Sequence, residues 1–379
     1  MIYLDNAATS YPKPKPVMEA IEECFKRAGS PGRGAHKMAL AASRVILETR
    51  ELLAELFNVK DPANIVFTLN ATEAINLGLK GLLKPGDNVI TTSMEHNAVT
   101  RPLKDLEAQG IKVTKIKCSH KGHLDLDDLR DSISHDTKLI VMTHASNVTG
   151  TLMPIEDVGE IARGKAIFFM VDAAQTAGIF PIDVQDMNID LLAFCGHKGL
   201  LGPQGTGGLY INPDIDLKEL KQGGTGGYSD DPFQPRIRPE RYEAGTPNTP
   251  GIAGLGASLK FIRDIGLQSI HDLERDLTLH LLEGLRKMPR IKLYGPQAGE
   301  ERAPVVSLNV EGMNPHEVEF ILDQAFDITV RSGLHCAPDA HRTIGTEGLG
   351  AVRFSMGYFN TMEDIDQAIE TMRYICEKS

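Results

Sequence analysis

The feature that most constrains the fold is a regular alternation of short apolar runs with helical patterns. Strands separated by helices form βαβ units, so this pattern predicts an α/β protein with a mostly parallel, seven-stranded sheet covered on both faces. Ligands of such sheets bind beyond the carboxyl ends of the strands, and polar residues follow several of these runs. The seven runs are 64–68, 88–92, 112–117, 139–143, 167–171, 191–194 and 208–211.

A Gly- and Pro-rich stretch, residues 222–251, separates this pattern from a second one. The second part mixes helical segments and strand-like runs, which predicts a smaller α+β domain. Its segments are helices at 254–288, 315–326 and 362–376 and strands at 305–310, 328–331 and 351–356. We expect an N-terminal segment of residues 1–15 near the active site, a large cofactor-binding domain of 16–253 and a small C-terminal domain of 254–379.

Composition excludes several other classes of protein. Of the 379 residues, 41% are hydrophobic and 24% are charged, which is typical of a globular chain. A net charge of −11, without a Lys/Arg-rich block, argues against nucleic-acid binding. No apolar run reaches the roughly 18 residues of a membrane span and the N-terminus lacks a signal pattern, so we expect a cytoplasmic, soluble protein. The five cysteines lack CxxC spacing, which predicts free thiols.

Two residues at the ends of predicted strands suggest cofactor chemistry. Lys198 follows the run 191–194 and precedes a glycine-rich loop, a position suited to a Schiff base with pyridoxal phosphate (PLP). Asp172 closes the run 167–171 and is suited to keeping the pyridine nitrogen of PLP protonated. Each residue alone has an ordinary alternative, a surface lysine in a turn and a helix N-cap. The pair is more informative than either residue.

Two further strand ends suit the same cofactor. At Asn70-Ala71-Thr72 a strand turns into a helix, and a helix N-terminus with a hydroxyl can hold a phosphate, although a plain helix cap explains the pattern equally well. His96 is placed to lay its ring over a flat cofactor, although a lone histidine is more often a hydrogen-bonded structural residue.

Cys336 is a candidate reactive thiol. It follows a strand-like run, and the nearby Arg331 and His335 favour the reactive thiolate. The alternative is a small buried hydrophobic residue. A metal site through His335, Cys336 and His341 matches no common zinc spacing, so no metal is expected. Arg353 interrupts an apolar strand and pairs either with a protein carboxylate or with that of an amino-acid substrate.

In order along the chain, these motifs resemble class V aminotransferase-like PLP enzymes and, within them, the second group of cysteine desulfurases. The resemblance runs from Tyr3-Leu4-Asp5-Asn6-Ala7-Ala8-Thr9 through Glu243-Ala244-Gly245-Thr246-Pro247-Asn248-Thr249 to Arg353. It implies fold-type I subunits, paired in a homodimer with sites at the subunit interface. It also implies conversion of L-cysteine, or of L-selenocysteine, to alanine, with the sulfur passed to a protein or small-thiol acceptor.

The resemblance also implies roles for particular residues. Cys336 matches the persulfide-forming cysteine, and Lys198, aided by His96, carries the acid–base work. The implied cofactor-binding residues are Lys198, Asp172 at the pyridinium nitrogen, Gln175 at the ring oxygen, His96 over the ring, Ala71, Thr72, Asn147, His197, Cys195 and, from the other subunit, Thr246. The implied substrate-binding residues are Arg353, Asn147, His36, Asn6 and Arg331.

Three positions depart from the family pattern. Cys195 stands where relatives usually have a phosphate-binding serine, and a thiol is a weaker donor. Leu334 replaces a histidine that commonly precedes His335, which argues against a proton-relay role there. The stretch 222–241 is shorter than in sulfur-mobilising relatives, which bears on the docking of an acceptor.

Other functions remain compatible with the same residues. Selenocysteine lyase activity would use them all, whereas transamination, epimerisation or kynurenine cleavage would not need Cys336. A PLP-binding or sulfur-carrier subunit without turnover is the non-enzyme alternative, which the retention of both Lys198 and Cys336 disfavours. An NAD enzyme is excluded because no GxGxxG motif opens a helix after the first strand.

Overall fold

A computed structural model describes residues 1–32, 34–227, 230–297 and 299–378. The strands are β1 (Ile2–Tyr3), β2 (Ile65–Thr68), β3 (Asn88–Thr92), β4 (Lys112–Ile116), β5 (Thr137–Thr143), β6 (Phe168–Asp172), β7 (Leu191–Cys195), β8 (Gly207–Ile211), β9 (Ile291–Tyr294), β10 (Val305–Val310), β11 (Ile328–Thr329), β12 (Arg331–Gly333) and β13 (Ala351–Ser355). The helices are α1 (Lys15–Arg27), α2 (Lys37–Leu56), α3 (Ala71–Leu82), α4 (Asn97–Glu107), α5 (Leu126–Ser132), α6 (Ile155–Gly164), α7 (Thr249–Ile265), α8 (Leu267–Leu285), α9 (Pro315–Phe326), α10 (Pro338–Ile344) and α11 (Met362–Lys378).

The main sheet joins seven strands of the described chain in the order β2-β8-β7-β6-β5-β3-β4. Only β8 runs antiparallel to its neighbours, β2 and β7. The mostly parallel α/β sheet predicted from the apolar runs is therefore confirmed, with strand ends shifted by one or two residues. Every residue of β7 is buried, because helices cover both faces of the sheet.

Alternate residues of the central strands enter two separate hydrophobic cores. In β7, Leu192 and Phe194 pack into one core, whereas Leu191 and Ala193 pack into the core on the opposite face. Successive side chains of a strand point to opposite faces, so a continuous apolar run is what a doubly covered strand requires. This burial fixes the positions of the strand ends that carry the polar residues.

A smaller antiparallel sheet has the strand order β12-β13-β10-β9. Helices α8, α9 and α11 enclose a third hydrophobic core with it. The single strand predicted at 328–331 is two short strands, because β11 pairs with β1 while β12 pairs with β13. The helix predicted at 254–288 is likewise divided into α7 and α8, since Gly266 between them has a φ of 90°. Strands β1 and β9 were not predicted from the sequence.

The N-terminal segment links the two sheets. Beyond β1, Asp5 forms a bridge with Ser355 at the end of β13, and the backbone N–H of Ser10 donates to His197 O at 2.9 Å. The predicted domain limits stay a prediction, and the limit at residue 253 falls inside α7. The described part of the stretch 222–248 forms neither helix nor strand, in line with the irregular stretch predicted there; Tyr228 and Ser229 lie outside the described residues. No helix of the described chain is long and apolar enough to cross a membrane.

Candidate active site

A cavity of about 280 Å³ opens at the carboxyl ends of the central strands, beside the smaller sheet. Its floor comes from residues at or beyond the ends of β3, β5, β6 and β7 and from Arg353 on β13. Its rim comes from β12 and the segment after it. The predicted site residues that line it are Ala71, Thr72, His96, Asn147, Asp172, Gln175, Cys195, His197, Lys198, Arg331, Cys336 and Arg353. Residues from distant parts of the sequence therefore meet in one cavity.

Lys198 and Asp172 lie on the floor, at the ends of the neighbouring strands β7 and β6. The turn that carries Lys198 packs tightly, because a Cβ at Gly196 would lie 2.1 Å from Thr206 Oγ1. Asp172 is fully buried, and one of its oxygens accepts a hydrogen bond from Ala174 N–H at 3.0 Å. Burial raises the pKa of the Asp172 carboxyl, opposed by that hydrogen bond and by the charge of Lys198. The carboxylate thus requires a positive or donating partner in the cavity.

The neighbouring residue pair Glu95 and His96 keeps the floor low in charge. Burial raises the pKa of Glu95 to about 8, although Thr92 Oγ1 and Thr143 N–H donate to its oxygens at 2.5 and 2.9 Å. Burial, reinforced by Lys198, lowers the pKa of His96 to about 4. Both groups are therefore mainly neutral near pH 7, which leaves Asp172 as the carboxylate to be matched.

The hydrogen bond by which His96 caps a helix determines which nitrogen of its neutral ring carries the proton. His96 is the N-cap residue of α4, and its Nδ1 accepts a hydrogen bond from Ala98 N–H at 3.0 Å. A neutral imidazole that accepts at Nδ1 carries its proton on Nε2. His96 therefore presents an uncharged ring with one N–H donor.

The opposite end of the cavity suits an anion. Ala71 and Thr72 form the first turn of α3, where free N–H groups and the helix dipole favour a negative charge. His197 Nδ1 is buried without a hydrogen-bond partner in the described chain. The Cys195 thiol donates to Ala174 O at 3.7 Å, so its proton is already engaged by a backbone carbonyl.

The carbonyl of His197, directly before Lys198, is held by the N-terminal segment. It accepts hydrogen bonds from the hydroxyls of Thr9 and Ser10, both at 3.1 Å, and from Lys13 Nζ at 2.9 Å. Burial lowers the pKa of Lys13 to about 8. The peptide that positions Lys198 is thus restrained by residues nearly 190 positions away in sequence.

Arg353 lies between the two sheets and is almost fully buried, at 1% exposure. Its Nη2 donates to Asp5 Oδ1 at 2.7 Å and its Nη1 to Asn147 O at 3.0 Å, while Nε has no partner in the described chain. Asp5 offsets the charge of the guanidinium and fixes its orientation. The sequence left open whether Arg353 pairs with a protein carboxylate, and it does.

Cys336 lies exposed on the rim of the cavity. Arg331 Nη2 lies 3.9 Å from its Sγ. The turn is anchored to the large sheet, because Asn97 N–H donates to Cys336 O and Asn147 Nδ2 donates to His335 O, each at 2.7 Å. The thiol, a guanidinium and the Lys198 amine therefore face one cavity.

Comparisons with known proteins agree with this site. Residues 2–368 match the model of the class-V aminotransferase family. A probable cysteine desulfurase of Pyrococcus abyssi is 38% identical over 97% of this chain and 92% of its own length. Another, of Methanothermobacter thermautotrophicus, is 37% identical over 99% and 94%. The apo structure of cysteine desulfurase from Thermococcus onnurineus NA1 has a TM-score of 0.94 at 37% identity, covering 100% of this chain and 95% of that chain.

The chain belongs to the class-V aminotransferases, as a cysteine desulfurase. The resemblance and the fold-type I architecture inferred from the sequence are confirmed. Enzymes of this family depend on PLP, so this is a PLP-dependent enzyme.

The residues present fit PLP. The buried Asp172 carboxylate, whose pKa is raised, would be matched by a pyridinium N–H. The unpartnered His197 Nδ1 and the N-terminus of α3 suit the phosphate at the other end, and Lys198 lines the space between. The cavity is thus lined by the three kinds of group that the cofactor needs, a carboxylate, an amine and an anion site.

Three residues implied by the resemblance lie outside the cavity. The Asn6 amide is occupied by Ser355 O and Asn360 Oδ1, both at 3.1 Å. His36 is exposed, and its ring caps α2 by accepting from Ala39 N–H; its motif neighbour Arg33 lies outside the described residues. Thr246 is exposed on the surface. Their functional roles stay predictions.

Some residues of the site carried no role in the sequence prediction. Glu95, Lys13 and Asp5 each act on a predicted residue through space. Asp5 lies in the N-terminal motif that carried the resemblance, and Glu95 follows the run 88–92, one of the strand ends that the sequence places at the ligand site. Lys13 gave no signal. Among the described residues, no group of three or more His, Cys, Asp or Glu side chains is placed to hold a metal ion.

Proposed function

We propose that this enzyme takes sulfur from L-cysteine, releases L-alanine and holds the sulfur as a persulfide on Cys336 before passing it to an acceptor thiol. The observation that carries the proposal is the exposed Cys336 thiol on the rim of the cavity whose floor holds Lys198. Transamination, epimerisation and kynurenine cleavage do not need a thiol at this position.

The sulfur-transfer step balances without an added oxidant. Bound PLP supplies an electron sink that acidifies the α-carbon of the amino acid and makes the β-carbon–sulfur bond cleavable. The Cys336 thiolate attacks the substrate sulfur, so a sulfur–sulfur bond forms as the carbon–sulfur bond breaks. The electron pair of the broken bond stays on the substrate, whose carbon takes a proton to become the methyl group of alanine.

Residues of the floor hold and protonate the substrate. Arg353, oriented by Asp5, would bind the substrate carboxylate with the donor capacity that its own partners leave unused. Lys198 Nζ would move the α-proton. His96, neutral with Nδ1 occupied, would serve as a flat surface and Nε2–H donor, which makes Lys198 the better base.

Residues of the rim supply the sulfur acceptor. The nucleophilic form of cysteine is the thiolate, and the guanidinium of Arg331, 3.9 Å from Sγ, provides the cation beside it. Exposure of Cys336 supports the later handoff to a protein or small-thiol acceptor.

We also propose a homodimer in which Thr246 completes the site of the neighbouring subunit. The loop that carries Thr246 is held near its start, because the Glu243 carboxylate accepts two hydrogen bonds from Arg50, at 2.7 and 2.9 Å, and a third from Phe67 N–H. Thr246 is exposed at its tip, outside the cavity of its own chain. Sedimentation equilibrium tests the dimer, and a monomer with full PLP affinity would contradict this role. A cytoplasmic location stays a prediction.

Alanine and sulfide released from L-cysteine by PLP-loaded protein with dithiothreitol test the proposed reaction. We expect the wild type and a Cys376→Ala control to release both products and Cys336→Ala to release neither. Cys376 is a suitable control because its thiol is only partly buried and lies on α11, outside the cavity. Full alanine release by Cys336→Ala would contradict the proposal. Turnover of L-selenocysteine but not of L-cysteine would mean that the substrate is L-selenocysteine.

A further inference from the structure

The turn that carries Cys336 has an unfavourable backbone conformation. His335 and Cys336 have φ values of 48° and 57°, both in the left-handed region. A side chain with a Cβ crowds the backbone there, and neither residue is a glycine. Two such residues in succession persist only where the surroundings hold them in place.

A chain of buried hydrogen bonds lies directly beneath this turn. His335 Nε2 lies 3.3 Å from Arg331 O, and His335 Nδ1 lies 3.2 Å from His341 Nε2. His341 Nδ1 in turn lies 2.7 Å from Thr346 Oγ1. The chain therefore connects β12, before the turn, with α10 and the residues that follow it.

The chemistry of its members fixes where each proton lies. A carbonyl oxygen only accepts, so His335 Nε2 carries a proton and His335 Nδ1 accepts. His341 Nε2 must then donate to it, which leaves His341 Nδ1 to accept from the hydroxyl of Thr346. Every hydrogen bond in the chain points the same way, from Thr346 towards Arg331.

Burial and charge keep both rings neutral, as this arrangement requires. His341 is fully buried and His335 is 3% exposed, and the two rings stack with centroids 5.3 Å apart. Burial, together with the nearby Arg353, lowers the pKa of His335 to about 2 and that of His341 to about 4. With both nitrogens of His335 engaged, this ring has no free lone pair for proton transfer.

We propose that His341 is a positioning residue that holds the Cys336 thiol over the cavity by bracing His335 against Arg331. This inference rests on the proposed role of Cys336 as sulfur acceptor. His341 does not reach the reacting atoms, and its effect is transmitted through the His335 ring to the left-handed turn.

Three variants of the PLP-loaded enzyme separate this role from general stability. His341→Leu removes the hydrogen bond to His335, while His341→Gln keeps an amide N–H donor at a similar reach. His120→Leu is the matched control, because His120 Nδ1 contacts the carbonyl of Thr343 on the same helix at 3.0 Å without touching the turn.

Two measurements are made on each variant: the rate of persulfide formation on Cys336 by rapid quench and mass spectrometry, and amide hydrogen exchange of residues 333–337. In His341→Leu we expect persulfide formation to slow by about 10- to 100-fold with little change in KM for L-cysteine, and exchange of the turn to quicken. His341→Gln should restore most of the rate, and His120→Leu should match the wild type in both measurements.

The proposal is overturned if His341→Leu matches the wild type in both measurements, or if His341→Gln falls as far as His341→Leu. If His341→Leu does not fold, Thr346→Val tests the proposal instead. It removes only the hydroxyl at the end of the hydrogen-bond chain, the one that contacts His341 Nδ1. Faster amide exchange of the turn in Thr346→Val would support the positioning role of His341, and unchanged exchange would contradict it. Absence of a persulfide in the wild type would refute the proposed role of Cys336. Hydrogen exchange needs no substrate, so it would still test whether His341 holds the turn.

Discussion

The floor and the rim of the cavity are held by different forces. Asp172 and Lys198 follow strands whose side chains fill hydrophobic cores on both faces of the main sheet. Cys336 lies on an exposed left-handed turn, held by hydrogen bonds to its backbone and by the histidine pair beneath it. Apolar burial therefore positions the floor, whereas a small number of polar contacts positions the rim.

The difference in burial between floor and rim matches the chemistry proposed for each. The floor must bind a cofactor and hold unusual protonation states, and burial provides both, as the raised pKa of Asp172 and the lowered pKa of His96 demonstrate. The rim must offer a thiol first to the substrate and then to an acceptor, which requires exposure. Changes on the floor should abolish cofactor chemistry, and changes on the rim should affect sulfur transfer alone.

The largest effect is expected from the amine on the floor. Lys198→Ala should lose the covalent link to PLP and reduce alanine formation by at least ~10³-fold, because it removes the amine that forms the link and moves the α-proton. Borohydride reduction followed by peptide mass spectrometry detects the link. Lys104→Ala, which changes an exposed lysine paired with Glu107, should keep both properties. A reducible link in Lys198→Ala would show that another lysine serves.

The second prediction contrasts the two arginines. Arg353→Lys should raise KM for L-cysteine by about 10- to 100-fold, because a single ammonium nitrogen cannot occupy the separate positions from which Nη1 and Nη2 bond Asn147 O and Asp5 while further donors face the substrate carboxylate. Arg331→Lys should leave KM nearly unchanged and slow the formation of persulfide. Steady-state kinetics with single-turnover quench resolves the two effects. Equal KM increases in both variants would mean that floor and rim bind the substrate jointly.

The floor could be predicted from sequence because its signals are local. An apolar run that ends on Asp172 or Lys198 predicts both the strand and the exposure of its last residue to a ligand site. The partner of Arg353 could not be predicted, since Asp5 lies 348 positions away and meets it only where the two sheets join. The His335–His341 contact spans six residues, but it depends on a turn conformation that composition does not specify.

The third prediction concerns the acid sensitivity of His144, a buried residue that directly follows β5 and does not line the cavity. Burial lowers the pKa of His144 to about 4, below its ordinary value of 6.5. As pH falls below 6.5 the unfolded chain gains a proton that the folded chain does not, so stability is lost. In His144→Leu the loss of unfolding free energy between pH 7 and pH 5 should be smaller by about 2 kcal/mol. Urea denaturation at both pH values measures it, and parallel losses in both proteins would count against the prediction.

The smallest effect is expected at the surface of the rim. Lys115 forms an ion pair with Asp339 on α10, and Arg342 on the same helix bonds Asp339 at 2.6 Å. Lys115 is 41% exposed, so water and salt screen the pair. Lys115→Gln should change the free energy of unfolding by less than about 1 kcal/mol and leave persulfide formation at the rate of the wild type.

Comparison of Lys115→Gln with His341→Leu tests which contact of α10 controls the position of the Cys336 thiol. Both residues join α10 to its surroundings, but the ion pair leads to β4, whereas the buried ring leads to the turn itself. If Lys115→Gln slowed persulfide formation as much as His341→Leu, the position of the whole helix would govern the thiol. Unchanged rates in Lys115→Gln would instead locate the control in the buried hydrogen bonds of His341, because they reach the left-handed His335 and the ion pair does not.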